Sequence, residues 1–178
     1  MPDKYIVLDR DGVINVDLFD YVLKNETFEF EKGSIEALIK LSKNNYQIIV
    51  ATNQKCINLG LISAEGIEKI NNFWINKIKE LGGDILHIEV CPHRDEENCN
   101  CRKPKTGLLI AAEKKLNISL KESYFIGDKL SDLECAVSHG CKPILVKTGY
   151  GSRTFSSSYP KETKVFENLK AAVDWIVN

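Results

Sequence analysis

Neither sign of charge is in excess in this 178-residue chain: 24 lysines and arginines stand against 25 aspartates and glutamates, a formal net charge of −1. No global field therefore recruits nucleic acid or an anionic membrane, and an anionic partner must be met by a local cluster of cations. Long apolar runs are missing as well. Asp3 and Lys4 precede only three consecutive apolar residues, which makes neither a signal peptide nor an anchor, and no later stretch approaches a membrane span. A cytosolic chain without a membrane partner is expected. Internal repeats and low-complexity tracts are absent too. With 43% hydrophobic and 28% charged residues, the composition excludes a disordered, collagen-like or disulfide-scaffold protein. The length favours one domain over residues 1–178, burying about 70% of the surface its unfolded chain exposes.

Six cysteines in such a chain are not a disulfide framework, because the cytosol keeps thiols reduced. Cys91, Cys99 and Cys101 cluster with His93, whereas Cys56, Cys135 and Cys141 are scattered and read as small buried hydrophobes.

Short apolar, β-branched runs alternate with amphipathic stretches. Strands are predicted at residues 5–8, 46–51, 85–90, 124–126 and 144–146. Helices are predicted at residues 34–43, from an N-cap at Ser63 to a stop at Gly82-Gly83, and at residues 108–116, 130–139 and 169–177. Residues 148–163, rich in Gly, Ser and Pro, read as a mobile surface loop. Strands separated by helices imply a three-layer, Rossmann-like α/β fold: a parallel sheet with helices on both faces. Ligands of such sheets bind beyond the carboxyl ends of the strands. Four polar groups fall there.

After the first strand, Asp9-Arg10-Asp11-Gly12 puts two carboxylates on one side of an extended backbone. Such a pair can bind a divalent cation, with one carboxylate attacking as nucleophile while the other moves a proton. An isolated Asp-Xaa-Asp-Gly is equally often a plain turn. A second acidic pair, Asp128 and Asp132, stands at a later strand end, where Asp128 could also cap a helix. Four carboxylates at two strand ends repel one another unless a cation compensates, and Mg²⁺, which prefers oxygen ligands, is the simpler account. Thr52-Asn53-Gln54-Lys55 supplies a hydroxyl, amides and an ammonium, and Arg102-Lys103 a guanidinium and a second ammonium. Each alone would be a solvated loop; together at one sheet edge they make an anion site. Cys91, His93, Cys99 and Cys101 form the ligand set of a closed tetrahedral Zn²⁺ site, with one-residue gaps tighter than usual. With no open position for water, that zinc is structural and pins a loop too polar to order itself. The flanks are not basic enough for a nucleic-acid-binding zinc ribbon.

These blocks, Leu8-Asp9-Arg10-Asp11-Gly12-Val13-Ile14-Asn15, Thr52-Asn53-Gln54, Cys91-Pro92-His93 through Cys99-Asn100-Cys101-Arg102-Lys103-Pro104, and Gly127-Asp128-Lys129 with Asp132, resemble the four motifs of the haloacid dehalogenase superfamily of phosphotransferases. The closer likeness is to its heptose bisphosphate phosphatase and histidinol-phosphate phosphatase branch. The resemblance implies that Asp9 takes the phosphoryl group as an aspartyl-phosphate, while Asp11 protonates the leaving sugar oxygen and then activates water. It implies Mg²⁺ on Asp9, the Asp11 carbonyl and Asp128. Thr52 and Lys103 would hold the transferring phosphate, Asn53 assisting and Arg102 reaching the substrate, with Asp132 and Lys129 in support. Only 40 residues separate Asp11 from Thr52, and no room remains for a cap domain there or between Thr52 and Lys103. The site is expected to be open, with the zinc loop forming part of its wall.

The superfamily branch usually follows Thr-Asn-Gln with Ser-Gly-Ile and then an Arg-Gly pair. Here Lys55, Cys56 and Ile57 precede Leu59-Gly60, so one cation is gained and one lost. The resemblance, strengthened by Tyr21-Val22 and Phe28-Glu29-Phe30, implies a monomeric phosphatase removing the 7-phosphate of D-glycero-D-manno-heptose 1,7-bisphosphate, a small-molecule sugar phosphate. The alternatives are a histidinol-phosphate phosphatase, a non-catalytic sugar-phosphate-binding module and a nucleic-acid end phosphatase. The first is left open, since its zinc loop can have the same spacing and the want of an appended dehydratase does not exclude it; the second is opposed by the intact Asp9, Asp11 and Asp128, and the third by the balanced charge.

Overall fold

The fold is given by a computed structural model that describes residues 4–178. Its strands are β1 (Lys4–Leu8), β2 (Tyr46–Asn53), β3 (His87–Cys91), β4 (Tyr124–Gly127), β5 (Lys142–Val146) and β6 (Lys164–Phe166). Its helices are α1 (Ser34–Lys43), α2 (Ala64–Glu80), α3 (Gly107–Leu116), α4 (Leu130–His139), α5 (Gly151–Phe155) and α6 (Leu169–Val177). All strand pairs are parallel and the order across the sheet is β3-β2-β1-β4-β5-β6. The order reverses between β1 and β4, and that is where an open α/β sheet leaves a crevice.

Strand side chains alternate between two cores, as period-2 geometry requires. Ile6, Leu8, Ile48, Val50, Ile126 and Ile144 pack with Leu38 of α1, Trp74 of α2 and Val173 of α6. Val7, Ile49, Ala51 and Phe125 pack on the opposite face with Leu108 of α3 and Ala136 of α4. The expected three-layer parallel fold is thus present. Among the described residues, the stretch from Asp11 to Thr52 holds only a short 3-10 turn, α1 and β2, and the next stretch to Lys103 only α2, β3 and a second 3-10 turn. Neither leaves a cap. Also among the described residues, no helix is long and apolar enough to cross a membrane.

Local signals held where they were strong. Ser63 caps α2 by accepting from the Gly66 N–H at 3.1 Å, and Gly82, at φ +87°, lies just past its end. Three expectations need correcting. Five strands were predicted and six are present among the described residues: β6 is three residues long and pairs only with β5, too short to show an alternation. The stretch 148–163 is not a plain loop but carries α5, anchored where Thr154 Oγ1 donates to the Asp128 carbonyl at 2.7 Å. The third strand begins at His87, two residues later than expected, although Ile85 is buried.

The larger core centres on Trp74, fully buried and stacked on Phe28 at 5.9 Å, with its ring N–H donating to Asn71 Oδ1 at 3.2 Å. Replacing Trp74 with alanine is expected to lower stability by about 3–5 kcal/mol, read from urea unfolding at equilibrium. A loss below 1 kcal/mol would place the centre of the core elsewhere.

Candidate active site

Asp9 follows β1 directly, and its N–H bonds to the Ile126 carbonyl of β4 at 3.0 Å, so the two strand ends are tied at the crevice. Lys103 arrives from the loop after β3. Asn53 at the end of β2 holds it reciprocally: the Lys103 N–H donates to Asn53 Oδ1 at 3.1 Å, and Asn53 Nδ2 donates to the Lys103 carbonyl at 3.2 Å. Asn53 therefore reaches the site by fixing the Lys103 backbone. The Lys103 ammonium, only 3% exposed as a residue, lies 2.9 Å from Asp9 Oδ1 and 2.6 Å from Asp132 Oδ1. Burial works against its charge, but the carboxylates of Asp132 and Asp9 outweigh burial and push its pKa up. The ammonium is a fixed cation.

Both oxygens of Asp132 are engaged, since Oδ2 accepts the Lys129 N–H at 3.0 Å. Asp132 thus positions Lys103, one of the supporting roles expected of it. Lys129 reaches Asp17 Oδ2 at 2.9 Å and lies 3.6 Å from Asp128 Oδ1. Asp128 itself is fully buried. Its Oδ2 accepts the Tyr150 N–H at 2.8 Å, whereas its Oδ1 has no hydrogen bond. Gly12, at φ +85°, and Gly149 close over that carboxylate so tightly that a Cβ on either would strike Asp128 Oδ2. Burial raises the pKa of Asp128 far above the ordinary carboxylate range despite Lys129, and burial raises that of Asp9 despite Lys103.

The residues fit a divalent metal. Asp9, Asp17, Asp128 and Asp132 set four carboxylates against the ammonium groups of Lys103 and Lys129, which leaves two negative charges. One carboxylate oxygen from each of Asp9, Asp128 and Asp132 lies within 4.8 Å of the others; Asp128 Oδ1 has no hydrogen bond, and its nearest cation, Lys129, is 3.6 Å away. An oxygen-lined, doubly negative pocket is what Mg²⁺ takes.

Asp11 has a different environment. Its Oδ2 accepts from Gln54 Nε2 at 2.6 Å, its Oδ1 from Asn15 Nδ2 at 2.9 Å, and Arg10 Nη2 reaches both oxygens at 3.0 Å. Burial opposes its charge, yet the Arg10 guanidinium and these hydrogen bonds hold its pKa below the usual value. The sequence reading missed Arg10 as a site residue. A charge between two acidic residues looks solvated, but here the side chain turns inward, is fully buried and donates also to Asn71 Oδ1 at 3.3 Å. Asp17 and Tyr150 were missed too; Tyr150 lies in the stretch read as a mobile loop.

Thr52 is buried and its Oγ1 accepts from Gln54 Nε2 at 2.9 Å, which leaves its hydroxyl proton for another acceptor. Asp9, Asp11, Asn53, Lys55, Arg102 and Lys103 all line one cavity of about 550 Å³ at the carboxyl end of the sheet. A second groove of about 560 Å³, between α2 and the edge strand β3, contains none of the predicted site residues. The predicted site residues converge on the first.

Next to it, Cys91 Sγ lies 3.6 Å from His93 Nδ1, 3.7 Å from Cys99 Sγ and 3.1 Å from Cys101 Sγ. Cys101 Sγ is 3.2 Å from His93 Nδ1 and 3.5 Å from Cys99 Sγ. Zinc with bonds of about 2.0–2.3 Å sets tetrahedral edges of about 3.3–3.8 Å; the 3.5, 3.6 and 3.7 Å separations lie in that range, and the two shorter ones, both to Cys101, would have to widen slightly to take the ion. The register Asn53↔Cys91 places this cluster beside the end of β2.

The profile of the HAD-hydrolase-like family matches residues 100–172. A Pseudomonas putida protein named D-glycero-beta-D-manno-heptose-1,7-bisphosphate 7-phosphatase is 40% identical over 168 residues, covering 94% of this chain and 96% of that protein. A Photorhabdus laumondii protein named for the alpha anomer is 37% identical, covering 93% and 91%. Among solved structures, the D,D-heptose 1.7-bisphosphate phosphatase from B. bronchiseptica, complexed with magnesium and phosphate, has a TM-score of 0.94 at 32% identity and covers 98% of each chain.

The raised pKa of Asp128 has a sign that can be tested. A carboxyl whose pKa is higher folded than unfolded destabilises the fold above that pKa, and protonation removes the penalty. Metal-free protein should therefore gain stability as pH falls from neutral through the raised pKa values of Asp128 and Asp9. It should lose stability again below the ordinary carboxylate range, where Asp11 becomes protonated. In chelator at pH 7, Asp128→Asn is expected to be more stable than the wild type by about 1–3 kcal/mol in thermal unfolding. A less stable variant would show that Asp128 is well compensated without metal.

Proposed function

This chain belongs to the heptose bisphosphate phosphatases of the haloacid dehalogenase-like hydrolases and is a phosphoric monoester hydrolase, and from that premise we propose that it removes the 7-phosphate of D-glycero-D-manno-heptose 1,7-bisphosphate. One observation carries the reading: a buried Asp9 carboxylate, joined to the Lys103 ammonium at 2.9 Å, stands at the reversal of the sheet beside Asp128 with its unbonded oxygen.

Asp9 Oδ1 is held by the Arg10 N–H at 2.8 Å and by Lys103, so Oδ2 is the oxygen left to attack phosphorus. As the Oδ2–P bond forms, the bond from phosphorus to the sugar oxygen breaks and Asp11 delivers the proton that the oxygen requires. Asp11 is held ionised before substrate arrives, and an incoming phosphate dianion beside it raises its pKa, which lets it carry that proton. Water then attacks the aspartyl-phosphate, gives its proton to Asp11, and releases inorganic phosphate with Asp9 restored. Thr52 and Lys103 hold the transferring group, and Arg102 reaches the rest of the substrate. Mg²⁺, held by Asp9, Asp128 and the Asp11 carbonyl, would neutralise charge on the phosphate oxygens. Zn²⁺ on Cys91, His93, Cys99 and Cys101 would be structural, fixing the loop that delivers Arg102 and Lys103. Every site residue comes from one chain, so a monomer suffices, and the reduced thiols suit the cytosol.

Phosphate release in Mg²⁺ should favour one of the two heptose 1,7-bisphosphate anomers over histidinol phosphate by at least about tenfold, and Asp9→Asn should abolish turnover of both anomers and of histidinol phosphate while leaving the fold intact. Preference for histidinol phosphate would overturn the substrate assignment, and a turning-over Asp9→Asn would remove Asp9 as nucleophile. Metal analysis of untagged protein should find about one zinc per chain, and its removal should lower the unfolding temperature. A zinc-free protein of full stability would refute the structural site.

A further inference from the structure

At the rim of the catalytic cavity, the loop after β2 meets the Cys/His loop through an ion triad that takes no part in the attack on phosphorus. Lys55 Nζ lies 3.2 Å from Asp95 Oδ2, and Arg102 Nε donates to Asp95 Oδ1 at 2.7 Å. All three residues line the same cavity as Asp9 and Lys103. One carboxylate thus lies across two cations, next to the place where a phosphoryl group is transferred.

The triad differs from the buried Lys103 cluster in what holds it. The Asp95 side chain is 66% exposed and that of Lys55 37%, and ion pairs so open to water contribute little to stability. Arg102 is better fixed, since Nη1 donates to the His93 carbonyl at 3.2 Å and its backbone N–H donates to Cys99 Sγ at 3.3 Å. The two loops also have a separate tie: Asn58 Nδ2 donates to both oxygens of Glu97, at 2.9 and 3.1 Å. Asp95 can therefore leave the two cations without undocking the loop that carries Lys55. With Asp95 gone, an ammonium and a guanidinium face the cavity with two positive charges, the complement of a phosphate dianion.

From this we infer that Lys55, together with Arg102, binds the second phosphate of a sugar bisphosphate, and that Asp95 is the anion which that phosphate displaces. The inference rests on the reading of the chain as a sugar bisphosphate phosphatase and adds to it a specificity determinant, Lys55, and a place-holder, Asp95. Both phosphates are then read by ammonium groups: the reacting one by Lys103 in the interior, the retained one by Lys55 at the rim. A substrate with one phosphate leaves Asp95 where it is and gains nothing from Lys55.

The test measures binding and turnover together. In the Asp9→Asn background, calorimetric Kd values for heptose 1,7-bisphosphate and heptose 7-phosphate give a discrimination ratio. Adding Lys55→Ser should reduce that ratio by about tenfold, the effect of one partly exposed charge-assisted hydrogen bond. Adding Asp95→Asn should tighten the bisphosphate several-fold. An unchanged ratio in Lys55→Ser would overturn the role of Lys55, and a weakened bisphosphate in Asp95→Asn would overturn displacement. The wild type is assayed in parallel against the bisphosphate and an aryl phosphate. If it cleaves the aryl ester and ignores the bisphosphate, the substrate assignment falls and this inference falls with it; if it cleaves both, the variants judge the inference alone.

Discussion

The rest of the site depends on one buried ammonium. Lys103 lies between Asp9 and Asp132 with almost no access to water, and an uncompensated charge there would cost several kcal/mol. Its partners are accordingly held from several directions: Asp132 by the Lys129 N–H, the Lys103 backbone by Asn53, and Asp9 by the strand pairing that ends in its own N–H. The loop bearing Lys103 has few apolar side chains with which to hold itself in place. The cysteine and histidine cluster a few residues upstream packs there instead, Cys91 fully and Cys99 and Cys101 in part against the core of α3 and α4. A metal on those four side chains, as proposed, would tie a polar loop by ligand bonds where burial cannot.

Around that ammonium, the site gives up stability for charge. Asp128 is buried with one oxygen unbonded, closed over by Gly12 and Gly149 because no side chain would fit. Asp11 shows the opposite strategy, with donors from Arg10, Asn15 and Gln54 meeting both of its oxygens. Asp9 and Asp11, two residues apart, are shifted in opposite directions by their surroundings, burial raising the pKa of the first while Arg10 and its hydrogen bonds lower that of the second. The proposed division between nucleophile and proton carrier would use that separation.

How much of this was legible in the sequence follows from how local each signal is. Asp9, Asp11 and Asp128 stood out because strand ends are marked by a short apolar run followed by Asp and Gly. The cysteine and histidine cluster stood out because three cysteines and a histidine within eleven residues match the ligand set of a metal site. The parallel sheet followed from alternation alone. Arg10 did not stand out, since nothing in Asp-Arg-Asp tells whether a guanidinium turns to water or inward toward Asn71. Tyr150 and Thr154 were hidden for a related reason. Their segment's Gly and Ser content reads as mobility, whereas Gly149 is there to let the backbone approach Asp128, a contact 22 residues away in sequence for Tyr150. β6, with three residues, carries too little pattern to distinguish it from coil.

The two tiers of positive charge differ in how freely they can change. Lys103 is coupled to two buried carboxylates, so replacing it leaves negative charge in a medium that screens poorly, and the fold and the chemistry fail together. Lys55 and Arg102 share a carboxylate in contact with solvent, where the same substitution leaves groups that water can satisfy. On the proposed reading, substitution at the rim would alter which anion is held without disturbing the inner site. The loss of an arginine at position 59 and the gain of a lysine at 55, relative to the motif this chain otherwise follows, falls in the outer tier, where such an exchange is cheap. The open crevice makes that tier decisive: with no cap to close over the substrate, only the loops at the sheet's edge can tell one phosphate ester from another.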